Sequence, residues 1–152
     1  MQARMTNPVF TLSGAMEALQ AAGKASRKAG LSEDLLNMVN LRASQINGCG
    51  VCVDLHARDL VKAGISDERL WSIAAWREAP YYTDEERAAL ALTEAMTRIA
   101  DQPTGVPDDV WDEATRHFDE QKLAGLVLAV ANVNTWNRLN VTTRQIAGAW
   151  TG

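Results

Sequence analysis

Histidine and cysteine are almost missing from this chain: it has two of each in 152 residues. A chain of this length holds a core without disulfide or metal staples, since a domain near this size buries roughly 70% of the surface its unfolded form exposes. A basic excess is missing too. Fifteen Lys and Arg stand against 19 Asp and Glu, for a formal charge of −4. With no basic tract and no aromatic-plus-arginine platform, nucleic acid is excluded as a partner. Long apolar runs are absent: the longest, Leu123 to Ala131, falls far short of the ~20 residues a membrane helix needs. Met1 to Phe10 lacks the basic start, apolar centre and cleavage site of a secretory signal. The expected compartment is therefore the cytoplasm, with no membrane partner. Strand alternation, repeats and low-complexity tracts are missing as well. The expectation is an all-α protein with residues 1–152 forming one domain.

What is present reads as helix after helix. Ser13 is placed to cap a first helix that carries Met16 and Leu19 and ends before Gly30. Ser32 caps a second, with Leu35, Met38 and Val39 on its buried face, and Asn47-Gly48 breaks it. A third is expected from about Cys49 to Gly64, with an Asp54–Arg58 pair outside and Val53, His56, Ala57 and Leu60 inside. Ser66 opens a fourth. Thr83 to Glu86 fits a capping box, followed by Leu92, Met96 and Ile99. After a loop through Pro103, Gly105 and Pro107, Val110, Ala114 and Phe118 form the next apolar stripe. A last helix, from about Gln121 to Arg138, is apolar nearly all round over Leu123–Ala131 and is expected to be central and buried.

Both cysteines fall in one window, Cys49-Gly50-Val51-Cys52 followed by His56. In a reducing compartment such a pair points to redox chemistry or metal binding rather than a static staple. Cys52 falls in the first turn of a helix, where unpaired N–H groups favour an anion and lower a thiol's usual value of ~8.5. His56, one turn on, is placed to accept its proton directly or through water. Cys52 is then the nucleophile that attacks an oxidant, such as the terminal oxygen of a peroxide, and becomes a sulfenic acid. Cys49 condenses with it to a disulfide, and an external dithiol restores the pair. The reverse labelling, with Cys49 attacking, is chemically allowed; the histidine spacing favours Cys52.

Blander readings weigh against this one. Two cysteines can simply be apolar fillers, but polar neighbours at a helix mouth argue otherwise. Cys49, Cys52 and His56 offer three zinc ligands where a structural site needs four, and the other histidine, His117, is distant in sequence. Haem attachment needs a histidine directly after the second cysteine, where Val53 stands. No metal, haem or flavin is required. A lone histidine on a partly apolar helix is more often a satisfied core residue; the Cys52 spacing is what raises His56 above that.

The chain resembles the AhpD-like alkylhydroperoxidases, within the wider carboxymuconolactone decarboxylase group. The resemblance runs from about Leu35 to residue 140. It rests on Leu41-Arg42-Ala43-Ser44-Gln45-Ile46-Asn47-Gly48-Cys49, the C-x-x-C-x-x-x-H window, Ala75-Trp76-Arg77-Glu78-Ala79-Pro80, Glu85-Glu86-Arg87-Ala88-Ala89-Leu90 and Asn134-Thr135-Trp136-Asn137-Arg138-Leu139. It implies an all-α fold, assembly as a homo-oligomer (trimer or hexamer), and thiol-dependent reduction of organic hydroperoxides or hydrogen peroxide. It also implies Cys52 as the peroxidatic residue, Cys49 as the resolving one, His56 in a proton relay, and a dithiol reductant of lipoyl type. Two positions depart from the family pattern. The glutamate twelve residues before the first cysteine is Asn37 here, and an amide does not take up a proton near neutral pH. The histidine directly before the second cysteine is Val51. Weaker peroxidase activity or a changed substrate is the expectation.

Glu94 is a candidate replacement carboxylate, against the simpler reading of an exposed helix acid. Trp71, Trp76, Trp111, Trp136 and Trp150 read as core or interface packing. Asn134, Asn137 and Arg138 read as structural hydrogen bonding. Tyr81 and Tyr82 are candidates to cover the site entrance, and His117 reads as a helix-end residue. Two rivals share the framework. A lactone decarboxylase of the same group needs no thiol pair, and a non-enzymatic redox sensor would use the same disulfide as a switch.

Overall fold

Side-chain caps locate most helix starts. The computed structural model describes residues 1–149, and among these it contains eight α-helices and no strand. The eight are α1 (Pro8–Thr11), α2 (Ala15–Arg27), α3 (Glu33–Asn47), α4 (Gly50–Lys62), α5 (Asp67–Ser72), α6 (Asp84–Thr97), α7 (Asp108–His117) and α8 (Glu120–Thr143). Ser32 accepts from Leu35 N–H, and Asp119 from Lys122 N–H, so both satisfy orphan donors at helix starts. Thr83 and Glu86 form the reciprocal capping box.

Several boundaries differ from expectation. Asn7 caps an additional short helix, α1, with Pro8 at its first position. Ser13 is not a cap: Gly14, at φ 82°, occupies that place. The fourth expected helix is only Asp67–Ser72 and tightens into a 3₁₀ turn over Ile73–Ala75. Ile99 lies beyond the end of α6 and is exposed. The last helix continues past Arg138 to Thr143.

α8 is central as expected, packing against α2, α3, α4, α6 and α7. Its inward residues Leu123, Leu126, Ala129, Val130 and Val133 are buried. One strip is not: Ala124, Leu128 and Ala131 face outward. Gly125 permits the close approach to the end of α2, where a Cβ would fall 2.3 Å from Ala29 Cβ. The main core collects Leu35, Leu36, Met38 and Val39 from α3, Leu60 from α4, Ala88 to Leu92 from α6, and Ala114 and Phe118 around α7. α3 packs against α4, α6 and α8, so its C-terminal end delivers the cysteine turn onto α8.

Of the tryptophans, Trp76 is buried and Trp71 and Trp111 are exposed. Trp136 is half-buried, and Trp150 lies outside the described residues. Tyr82 is a core residue whose hydroxyl donates to Arg69 O. Neither Tyr81 nor Tyr82 lines the cysteine cavity described next, which corrects the expectation that they cover it.

Candidate active site

Gly48, in the left-handed region at φ 69°, ends α3 and turns the chain into α4. Cys49 caps α4, and its Sγ accepts from Cys52 N–H at 3.3 Å. Cys49 and Cys52 are joined by a disulfide with a Cα–Cα distance of 5.3 Å. Both are buried, at 1% and 4% exposure.

The turn is fixed from α8 by an amide network. Asn47 Nδ2 donates to Asn134 Oδ1 (2.9 Å) and Asn137 Oδ1 (2.8 Å). Asn137 Nδ2 donates to Ser44 Oγ (3.0 Å), and Arg138 donates back to Asn134. The Asn134–Asn137–Arg138 cluster is therefore structural, as its position on an apolar helix suggests.

Cys52 and His56 line one cavity of about 370 Å³. Leu36, Val51, Leu55, Val133 and Trp136 supply its apolar wall, Asn40, Asn132 and Asn140 its amides, and Lys24 and Arg27 its cationic edge. Cys49 lines a second cavity of about 510 Å³, with Gly50, Arg144 and Gln145 around it. Val51 and Asn140 belong to both.

Asn37 and His56 are brought together, with Nδ1 3.4 Å from Asn37 Oδ1. An amide oxygen only accepts, so Nδ1 carries the hydrogen and Nε2 keeps the lone pair. Burial pushes the His56 pKa down to about 4, with the Arg27 charge adding to the effect. His56 is therefore neutral at neutral pH.

Glu94 is not brought to this cavity. Nor is it an exposed helix acid: it is 6% exposed and holds an ion cluster with Arg42, Arg77 and Arg98, joined by the Trp76 indole. His117 is a helix-end residue bonded to Glu113 at 3.1 Å. No group of three or more metal-ligating side chains occurs among the described residues.

Asn140 is a site residue that the cysteine window does not indicate. Its Nδ2 lies 3.3 Å from Cys52 Sγ, and its Oδ1 accepts from Asn7 Nδ2 at 2.7 Å. The three-residue spacing Asn134, Asn137, Asn140 is the one sequence signal that leads to it. Asn7 carries none.

The sequence profile of the Carboxymuconolactone decarboxylase family matches residues 13–95, more than half of the chain. This chain belongs to that family. The matched stretch begins earlier than the resemblance noted above, and the late Asn134–Leu139 block lies beyond it. The uncharacterized protein YdfG of Bacillus subtilis is 32% identical over 126 residues, covering 83% of this chain and 84% of its own length. A crystal structure from Agrobacterium tumefaciens, of a protein of unknown function named as a candidate antioxidant defence protein AhpD, superposes with a TM-score of 0.89. It is 34% identical and covers 97% of this chain and 99% of that one. The fold is therefore AhpD-like. The alkyl hydroperoxide reductase AhpD of Coxiella burnetii is 46% identical over 37 residues, 24% of this chain and 21% of its own.

Proposed function

We propose that this family member is a thiol-dependent peroxidase that reduces organic hydroperoxides or hydrogen peroxide through the Cys49/Cys52 couple. The observation that carries the reading is the disulfide at the mouth of α4, with Cys52 and His56 on one cavity. The Cys52 thiolate attacks the terminal peroxide oxygen. The O–O bond breaks, Cys52 becomes a sulfenic acid, and the alkoxide takes a proton to leave as alcohol. Cys49 then attacks the sulfenic sulfur, and water leaves with formation of the S–S bond. A dithiol reductant attacks Cys49, giving a mixed disulfide and releasing Cys52 as thiolate. The reductant's second thiol closes its own disulfide and frees Cys49. The separate cavity beside Cys49 supports a separate approach for that reductant, for which the family resemblance implies a lipoyl-type dithiol.

The reading treats residues 1–152 as one helical domain acting in the cytoplasm as a homo-oligomer, a trimer or hexamer. The outward strip of α8 and the 75% exposure of Trp71 support association. No helix among the described residues is long and apolar enough to cross a membrane.

Reduced protein treated with tert-butyl hydroperoxide should lose the mass of two hydrogens without adding oxygen. With dihydrolipoamide present it should consume peroxide continuously. A redox sensor reacts once and stops, and a decarboxylase keeps its turnover with both cysteines replaced by serine. Thiols left unchanged by oxidant would end the reading.

Asn37 holds the imidazole yet takes no proton. Asn37→Glu should therefore raise the rate of the peroxide step, toward the about 100-fold that a placed general base supplies. Stopped-flow oxidation of the reduced protein reads it, and an equal rate in both proteins would show that position 37 does not limit proton transfer.

A further inference from the structure

A thiolate at Cys52 needs a partner, and a neutral His56 is not a cationic one. The hydrogen-bond chain behind Cys52 identifies another. Val9 N–H is a backbone donor without an alternative role, and it points at Asn7 Oδ1 at 3.0 Å. That fixes the Asn7 amide: its NH₂ group faces Asn140 at 2.7 Å. The atom of Asn140 that receives this donor must be its carbonyl oxygen, so the Asn140 NH₂ group faces Cys52 Sγ at 3.3 Å. One backbone N–H thus sets the orientation of two side-chain amides in turn. Asn7 and Asn140 are 1% and 4% exposed, and a hydrogen bond between buried amides is stronger than the same bond in bulk water.

We propose that Asn140 is a catalytic residue of this site, donating a hydrogen bond to the Cys52 sulfur that stabilises its thiolate, and that Asn7 is the positioning residue that keeps the donor turned toward it. The inference rests on Cys52 being the nucleophile proposed above. A hydrogen bond to the charged form of a group favours that form and lowers its pKa. The same donor acts twice in the cycle. It stabilises Cys52 as attacking thiolate, and again as the leaving thiolate when a reductant takes Cys49. An amide does this at any pH, since it does not titrate. The titratable and charged groups lining the cavity are His56 from α4 and Lys24 and Arg27 from α2, while α3 and α8 present amides and apolar side chains. Arg144 lines the cavity on the Cys49 side.

The test isolates one thiol. A Cys49→Ser background leaves Cys52 as the only cysteine, and serine retains an N-cap for α4. Iodoacetamide alkylation against pH then titrates Cys52 with no peroxide present. In that background Cys52 should titrate below the ordinary ~8.5. Asn140→Ala should raise its pKa by about 1–2 units, the range a hydrogen bond to a charged group supplies. Asn140→Asp, of nearly the same shape, should raise it at least as far by placing an anion at the sulfur. Asn7→Ala should shift it in the same direction by less. Far-UV circular dichroism confirms folding, and the isosteric Asp variant keeps the test open if the alanine variant does not fold. A Cys52 pKa that is ordinary in the background, or unmoved in folded Asn140→Asp, overturns the proposal. The expected shifts without any peroxide consumption would retain Asn140's role and reject the peroxidase reading instead.

Discussion

Cys52→Ser is expected to leave no measurable peroxide reduction. The first step of the proposed reaction needs a sulfur anion at the N-terminus of α4, and a serine hydroxyl neither ionises near neutral pH nor forms the S–O product. Cys49→Ser should behave differently. Its Cys52 keeps Asn140 at 3.3 Å and the first-turn N–H groups of α4, so it should react with one equivalent of peroxide and stop. The sulfenic acid has no resolving thiol in that variant and should be captured by dimedone on Cys52. Peptide mapping decides the assignment: a dimedone adduct on Cys49 in the Cys52→Ser protein would reverse the two roles. The pH profile of the single turnover follows from the same groups. With its pKa lowered to about 4 by burial and by Arg27, His56 should contribute no inflection near its ordinary 6.5. The rate should climb with the ionisation of Cys52 alone. A rate-limiting inflection at pH 6–7 that disappears in His56→Asn would show the imidazole to be a resident proton acceptor.

Glu94→Ala should cost about 3–5 kcal/mol of stability, the range for breaking a buried ion pair by removing one partner. Arg42 Nε lies 2.6 Å and Trp76 Nε1 3.0 Å from Oε1, and Arg77 reaches Oε2 at 2.5 Å. Removing the carboxylate strands the Arg42 guanidinium, whose side chain is 11% exposed, together with a buried indole N–H. Arg77 and Arg98 are exposed and contribute less, being screened by water. The urea midpoint should fall at unchanged slope. Alkylation of Cys52 in the folded fraction should not change, because Glu94 does not line that cavity. Loss of peroxide reactivity at unchanged stability in Glu94→Gln would make this carboxylate part of the relay. Acid should act in the same direction. Burial raises the Glu94 pKa, but hydrogen bonds from Arg77, Arg42 and Trp76 outweigh it and hold the carboxyl below its ordinary value. Its contribution is therefore complete above the unfolded value of ~4.3 and is lost as pH falls through the folded one. His56, neutral when folded and lowered to about 4, takes up its proton more readily in the unfolded chain. Stability should therefore begin to decline below about pH 6.5 and fall further through pH 4.

Whatever one turn of chain decides can be read from the order of the residues. Ser32 and the Thr83–Glu86 box start helices because the group each satisfies lies three residues away. Gly48 ends α3 because its backbone must turn left-handed there. Cys49 and Cys52 share the start of α4, and His56 follows one turn on, through their spacing alone. The run of apolar residues after Leu123 marks α8 as central without reference to its packing. Tertiary structure decided the rest. Glu94 became a buried cluster because α3 brings in Arg42 from 52 positions away. Tyr82 went to the core, and the chain opened a second cavity beside Cys49. The donor on Cys52 comes from Asn140, held by Asn7 across 133 positions. Such pairings depend on which helices pack together, and the partner of a buried polar group is chosen by that packing rather than by its neighbours in sequence.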